Sequence, residues 1–130
     1  MKKTDLDPGK TVIGMVEPIL IRSKKDKEKR ERVLARIDTG AAKSSIDSKL
    51  VYALKLGPVI SVNKVRNAHG TTLRPVIETS IIIKRRKIKS LFTVADRSNL
   101  KYKMLIGRNV LSQGFLIDPM INEETYEEKK

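Results

Sequence analysis

Asp38-Thr39-Gly40 is the segment of this chain whose residue types best suit acid–base chemistry. It follows the apolar-rich run Val33-Leu-Ala-Arg-Ile37, which places the aspartate where a strand ends. Such an aspartate can activate water when a second carboxylate lies beside it. Two carboxylates about 3 Å apart cannot both ionise, so they share one proton. The charged member is then a general base and the protonated member a general acid. The pair titrates as a unit. Gly40 lets backbone approach closely, and the Thr39 hydroxyl can donate and accept, bracing the loop. The triplet occurs once in 130 residues, so one chain holds half of a dyad. A two-fold homodimer would set Asp38 of each copy across the axis. The competing reading is plain: Asp-Thr-Gly is also a good turn sequence, and three residues make a weak motif on their own.

Strand signals dominate the elements that must position this aspartate. Thr11–Arg22 and Val33–Ile37 read as two strands joined by the charged stretch Ser23–Arg32. That stretch lacks an apolar face until Val33, which favours a solvated loop over a helix. Ser44–Leu56 suits a short helix capped by Asp47. Gly57-Pro58 is a break. Val59–Arg66 and Thr72–Ile83 flank Ala68-His-Gly-Thr71 as a long hairpin with His69 and Gly70 at its tip. Lys84–Lys87 is a turn, Ile88–Ala95 a strand, Met104–Ile106 a short buried strand, Arg108–Ser112 a helical turn and Phe115–Ile117 a last strand. Short strands with frequent turns predict an all-β fold, a small closed β-barrel with one short helix.

Composition bounds the function. The length fits one domain over residues 1–130, with a core at 10–119 and flexible tails at 1–9 and 120–130. The chain has no cysteine, which excludes disulfides and thiolate chemistry. No run approaches the roughly 20 apolar residues of a membrane span, and the N-terminus lacks signal-peptide form. The expectation is a soluble, cytoplasmic protein that engages no membrane. The net charge of +13 would attract an acidic polypeptide or nucleic acid. With two Phe, three Tyr and no Trp, the chain is poor in side chains for stacking on single-stranded bases.

Asp38-Thr-Gly-Ala-Ala-Lys-Ser-Ser-Ile46 resembles the catalytic stretch of the retropepsin-like aspartic peptidase family labelled "ATP-dependent zinc protease" or RimK-associated. Arg74-Pro-Val-Ile-Glu78, Thr93–Tyr102, Leu105-Ile-Gly-Arg-Asn-Val-Leu111 and Phe115-Leu-Ile-Asp-Pro119 resemble its later blocks, in order, from about Thr11 to Pro119. The resemblance implies a β-barrel peptidase working as a homodimer, with Asp38 as the catalytic residue. It implies that Thr39, Gly40, Ala41, Gly107 and Arg108 support the catalytic loop, and that a hairpin carrying His69 and Gly70 acts as a flap over substrate. It also implies a link to ATP-grasp ligases that add glutamates to proteins, and cleavage of the resulting glutamate-rich tails. One departure is Ala42, where viral retropepsins carry an aspartate that pairs with the arginine of the Gly-Arg-Asn segment, so Arg108 needs another partner.

The family label does not transfer to these residues. One His, no Cys and no His-Glu-x-x-His supply no zinc set, and no phosphate loop is present. No metal and no cofactor are expected. His69 could touch substrate, but a lone loop histidine is more often merely exposed. Asp96 and Arg97 could bind substrate or pair with each other, and Asp118 ends a strand before Pro119. Two rival functions stand beside the peptidase: an inactive peptide-docking or dimerisation module, and a basic RNA-binding barrel.

Overall fold

The protein is described here by a computed structural model covering residues 9–127. The expected tail residues 1–8 and 128–130 lie outside the described residues. The strands are β1 (Thr11–Ile13), β2 (Val16–Arg22), β3 (Arg30–Ile37), β4 (Ser44–Asp47), β5 (Val59–Asn67), β6 (Gly70–Ile83), β7 (Arg86–Ala95), β8 (Met104–Ile106) and β9 (Phe115–Ile117). Among the described residues there are three short helices: α1 (Ser48–Leu54), α2 (Arg108–Leu111) and α3 (Glu123–Glu127), the last beyond β9.

The strands follow one another in the order β2-β3-β8-β4-β7-β6, and Leu20 on β2 pairs with Ile82 on β6 to close the ring. The result is a six-stranded barrel, as expected from the strand pattern. β5 hangs from the outer side of β6 and forms the long hairpin. β1 and β9 pair in parallel as a separate ribbon.

Period-2 alternation builds the core. Ile19 and Ile21 on β2, Ile77, Ile81 and Ile83 on β6, and Ile88 and Phe92 on β7 all point inward and are buried. Each such side chain contributes about 1.5–3 kcal/mol by leaving water. Residues 23–29 of the charged stretch form the loop between antiparallel β2 and β3, closed by Ser23 N–H to the Lys29 carbonyl at 2.9 Å, while Arg30, Glu31 and Arg32, expected in the loop, pair with β2 as the start of β3.

Two further features depart from the sequence reading. β4 lies within the segment expected to lead into a helix, and it pairs in parallel with β7 and antiparallel with β8. Four residues are too few to show a period. Asp47 does cap the helix that follows, accepting from Lys49 N–H at 3.2 Å. The second departure is at the C-terminus, where α3 appears beyond the short helix and the helical turn that were expected. Residues 120–127, expected as part of a tail, carry α3, and the Ile121 carbonyl accepts from Met15 N–H at 2.7 Å.

α3 is coupled to the barrel through a buried carboxylate. Glu17 Oε1 accepts from Gly14 N–H and from the Tyr126 hydroxyl, both at 2.9 Å. Oε2 has no hydrogen-bond partner among the described residues and lies 4.0 Å from Lys84 Nζ. Burial, and then Glu17 itself, push the Tyr126 phenol above its ordinary range. Tyr126→Phe should therefore cost about 1–2 kcal/mol in urea unfolding, since a buried acceptor loses its donor. The folded phenol ionises later than the unfolded one. Its contribution is therefore full below about pH 10 and lost as pH rises through the folded value. The stability of the wild type should fall more steeply than that of Tyr126→Phe in that alkaline window.

Candidate active site

β3 ends at Ile37, and the chain turns immediately at Asp38. Two backbone bonds hold the entry to the turn. Ile37 N–H donates to the Met15 carbonyl at 3.0 Å, and Asp38 N–H donates to the Ile106 carbonyl at 2.9 Å. The Asp38 carboxylate then accepts from Gly40 N–H at 2.9 Å. This bond orients Oδ1 toward its own loop. A Cβ at position 40 would stand 3.2 Å from Oδ1 and crowd it, so glycine leaves room for this geometry.

The loop is anchored by the segment that follows β8, the strand paired in parallel beside β3. Arg108 N–H donates to the Ala41 carbonyl at 2.8 Å, and Asn109 N–H to the Ala42 carbonyl at 3.3 Å. The Arg108 guanidinium reaches back, with Nη1 2.9 Å from the Thr39 carbonyl. That carbonyl is the partner Arg108 has in place of an aspartate at position 42. Gly107 is buried against the loop. A Cβ there would overlap the Lys43 carbonyl and stand 2.8 Å from the Ala41 oxygen.

Two further side chains complete this anchor. Gly107 N–H donates to Ser44 Oγ at 2.9 Å, and the Ser44 hydroxyl donates to Asn109 Oδ1 at 2.7 Å. Asn109 Nδ2 donates onward to Ser90 Oγ and to the Leu91 carbonyl on β7. Sequence reasoning named Gly107 and Arg108 but passed over Ser44 and Asn109. Asn109 carried a signal, being next to both. Ser44 carried none, because a strand serine acquires meaning only from what lies across from it.

The structure thus brings Asp38, Thr39, Gly40, Ala41, Gly107 and Arg108 into one hydrogen-bonded unit. His69 and Gly70 stand apart from it, at the exposed tip of the β5–β6 hairpin. There His69 N–H donates to Asn67 Oδ1 at 2.8 Å, and Gly70 takes a φ of 119°. Asp96 and Arg97 do not pair with each other. Asp96 accepts from both the Ser98 N–H and hydroxyl, which lower its carboxyl below the ordinary range. Arg97 N–H donates to Asp47 Oδ1 at 2.7 Å, joining the loop after β7 to the α1 cap.

Two adjoining cavities separate the loop after Asp38 from the hairpin. One, of about 360 Å³, is lined by Lys43, Ser45, Lys64 and Arg74 among others. Its neighbour, of about 330 Å³, includes Lys43, Ser61, Leu91 and Asn109. Lys43, Asn63 and Thr93 belong to both, so the two form a continuous groove. Asp38 lines neither cavity.

A closed barrel with a lone Asp-Thr-Gly loop braced by a Gly-Arg-Asn turn is of the retropepsin class. The chain belongs to the RimB-like family, described as the retropepsin-like aspartic endopeptidase RimB, whose model matches residues 52–128. That stretch includes the hairpin and the bracing turn and begins beyond Asp38. Among solved structures the chain is similar to Lpg0085, a protein of unknown function (DUF785) from Legionella pneumophila subsp. pneumophila str. Philadelphia 1. The TM-score is 0.57 at 15% identity, covering 86% of this chain and 95% of that one. It is also similar to the simian foamy virus (mac) protease, with a TM-score of 0.55 at 14% identity, covering 75% of this chain and 91% of that one. At such identities both show a shared fold. No curated protein matches the chain in sequence.

The anchor makes a direct prediction. Ser44→Ala leaves Gly107 N–H and Asn109 Oδ1 without their shared partner. Unfolding in urea should show a loss of about 1–3 kcal/mol. A loss no larger than that of an exposed serine, Ser61→Ala for example, would deny the hydroxyl this role.

Proposed function

We propose that the protein is an aspartic endopeptidase that works as a homodimer, each copy supplying Asp38. The observation that carries this reading is the single Asp-Thr-Gly loop, held at both flanks by backbone bonds in a chain of the retropepsin-like family. One Asp38 carboxylate takes a proton from water while the water oxygen attacks the scissile carbonyl carbon. The other carboxylic acid gives its proton to the carbonyl oxygen. Collapse of the tetrahedral intermediate breaks the C–N bond, and a proton passes to the leaving amine. The reaction needs only water as co-reactant. A chain without cysteine suits the cytoplasm, the setting we propose.

The β5–β6 hairpin is the proposed cover for substrate, with His69 and Gly70 at its tip. β5 is the end strand of its sheet, so its outer edge is open to an extended peptide. Val59, Val62 and Leu73 expose more than half of their surface on this hairpin. The groove beside it carries Lys43, Lys64 and Arg74. Three cations at one groove favour substrate carboxylates, which supports glutamate-rich tails as the substrate.

Wild-type protein and Asp38→Asn should be incubated with glutamate-tailed and neutral peptides of equal length, and products read by mass spectrometry. Cleavage by the wild type should fall by about 10²–10⁴-fold in Asp38→Asn, with the melting temperature little changed. Peptide binding without turnover by the wild type would instead mark a docking module.

The groove gives a separate prediction. Lys43→Glu with Arg74→Glu should raise KM for the glutamate-tailed peptide about tenfold or more for each lost contact. KM for the neutral peptide should stay within about twofold.

A further inference from the structure

The barrel carries a second basic surface at the end of β3 remote from Asp38. The eight residues of β3 separate the β2–β3 loop from the catalytic turn, about 26 Å at strand rise. Residues 22–32 hold seven cations against three acids. One groove of about 370 Å³ runs under the loop and is lined by Arg22, Ser23, Lys24, Lys27, Ser80 and Lys87, among others. A second of about 400 Å³ includes Lys24, Lys25 and Lys55. Lys24 belongs to both, so the two adjoin. Among the described residues no ion pair engages any of these cations. Asp26, within the same loop, accepts from Glu28 N–H at 3.1 Å.

The surface is also preformed. Ser23 is buried, and its hydroxyl oxygen accepts from Lys25 and Asp26 N–H at 3.2 and 3.1 Å, fixing the loop that presents the lysines. Arg22 and Lys87 extend from the barrel strands themselves. Converging cations on a rigid wall match a polyanion whose charges are dense and already fixed. A nucleic-acid duplex is such a polyanion, with one charge per ~1.7 Å of axis. A flexible acidic peptide would first have to be ordered, which costs free energy. No aromatic residue lines either groove, so unpaired bases find no stacking platform.

We infer that this face is a binding surface for the phosphodiester backbone of a duplex nucleic acid, independent of the catalytic loop. Lys and Arg at the grooves neutralise phosphates and release counterions, and the contact reads charge and shape rather than base sequence. The surface lets the protein hold a nucleic acid while the opposite end of β3 stays open to a polypeptide.

The test uses the full chain with fluorescent RNA and DNA duplexes of about 20 base pairs, titrated by anisotropy from about 50 to 200 mM salt. Binding should weaken with salt, with a slope of about −0.9 for each phosphate neutralised. The combined change Arg22→Gln, Lys24→Gln, Lys27→Gln and Lys87→Gln should flatten that slope by about 3.6 and weaken binding at least tenfold. All four side chains are exposed, so the fold should hold, and circular dichroism checks it. Should the combined variant misfold, Lys24→Gln and Lys27→Gln singly should each flatten the slope by about 1. Asp38→Asn should bind as the wild type does, so a failed peptidase and a failed duplex surface are told apart. Tighter binding of the RNA duplex would mark 2′-hydroxyl contacts, and equal binding of both would mark phosphate alone; either supports the proposal. It is overturned by no salt-dependent binding, by full binding in the glutamine variants, or by a glutamate polymer outcompeting both duplexes at equal charge.

Discussion

The close approach of Gly107 to the backbone of residues 41–43 is the constraint on which the site depends. A single Cβ at that position would overlap the Lys43 carbonyl. Because none is there, the turn after β8 lies against the turn after β3, and three backbone donors meet their acceptors across the contact. Gly107 N–H finds Ser44, Arg108 N–H finds Ala41 and Asn109 N–H finds Ala42. Each bond is modest alone, on the order of 1 kcal/mol. Their value lies in agreement: all hold the same loop in the same place. Asp38 inherits its position from that loop, with its carboxylate turned by Gly40 N–H.

Barrel closure makes this contact reachable. β3 and β8 run parallel and adjacent, so their ends deliver Asp38 and Gly107 side by side. Parallel neighbours distant in sequence cannot be joined by a tight turn. The intervening chain is used instead for β4, α1, the long hairpin and β7. The hairpin is then tied to the barrel by β6, whose inner half is core and whose outer half is exposed. One strand thus serves both as barrel wall and as one arm of the exposed hairpin.

Charge is distributed with the same economy. Arg108 braces the Asp38 loop itself, Lys43, Lys64 and Arg74 line the groove beside the hairpin, and the cations of the β2–β3 loop gather at the other end of β3. The acids are largely occupied elsewhere. Glu17 holds α3, Asp47 caps α1 and secures the loop after β7, and Glu78 faces Lys89 at 3.4 Å. Among the described residues, no ion pair engages the groove cations Lys43, Lys64 and Arg74 or the loop cations Lys24, Lys25 and Lys27.

Much of the fold was legible in the sequence because its information is local. Apolar, β-branched runs between turn signals mark β2, β6 and β7, and a strand-like run leading into Asp38-Thr-Gly40 marks where the candidate chemistry begins. Gly and turn residues mark the hairpin tip. Even the cap at Asp47 follows from the residue type and what comes after it. Other features are not local and so were not legible. β4 is four residues long, and only its parallel pairing with β7 makes it a strand. Ser44 becomes part of the anchor only when Gly107 and Asn109 arrive from more than 60 residues away. Tyr126 sits in an acidic run that reads as solvated tail, yet a buried carboxylate 109 residues earlier in the chain draws it in. The sequence alone determined the barrel class and singled out Asp38 as the candidate for acid–base work. Tertiary structure decided what holds that residue in place, because hydrogen bonds between distant segments depend on which ends the closed sheet brings together.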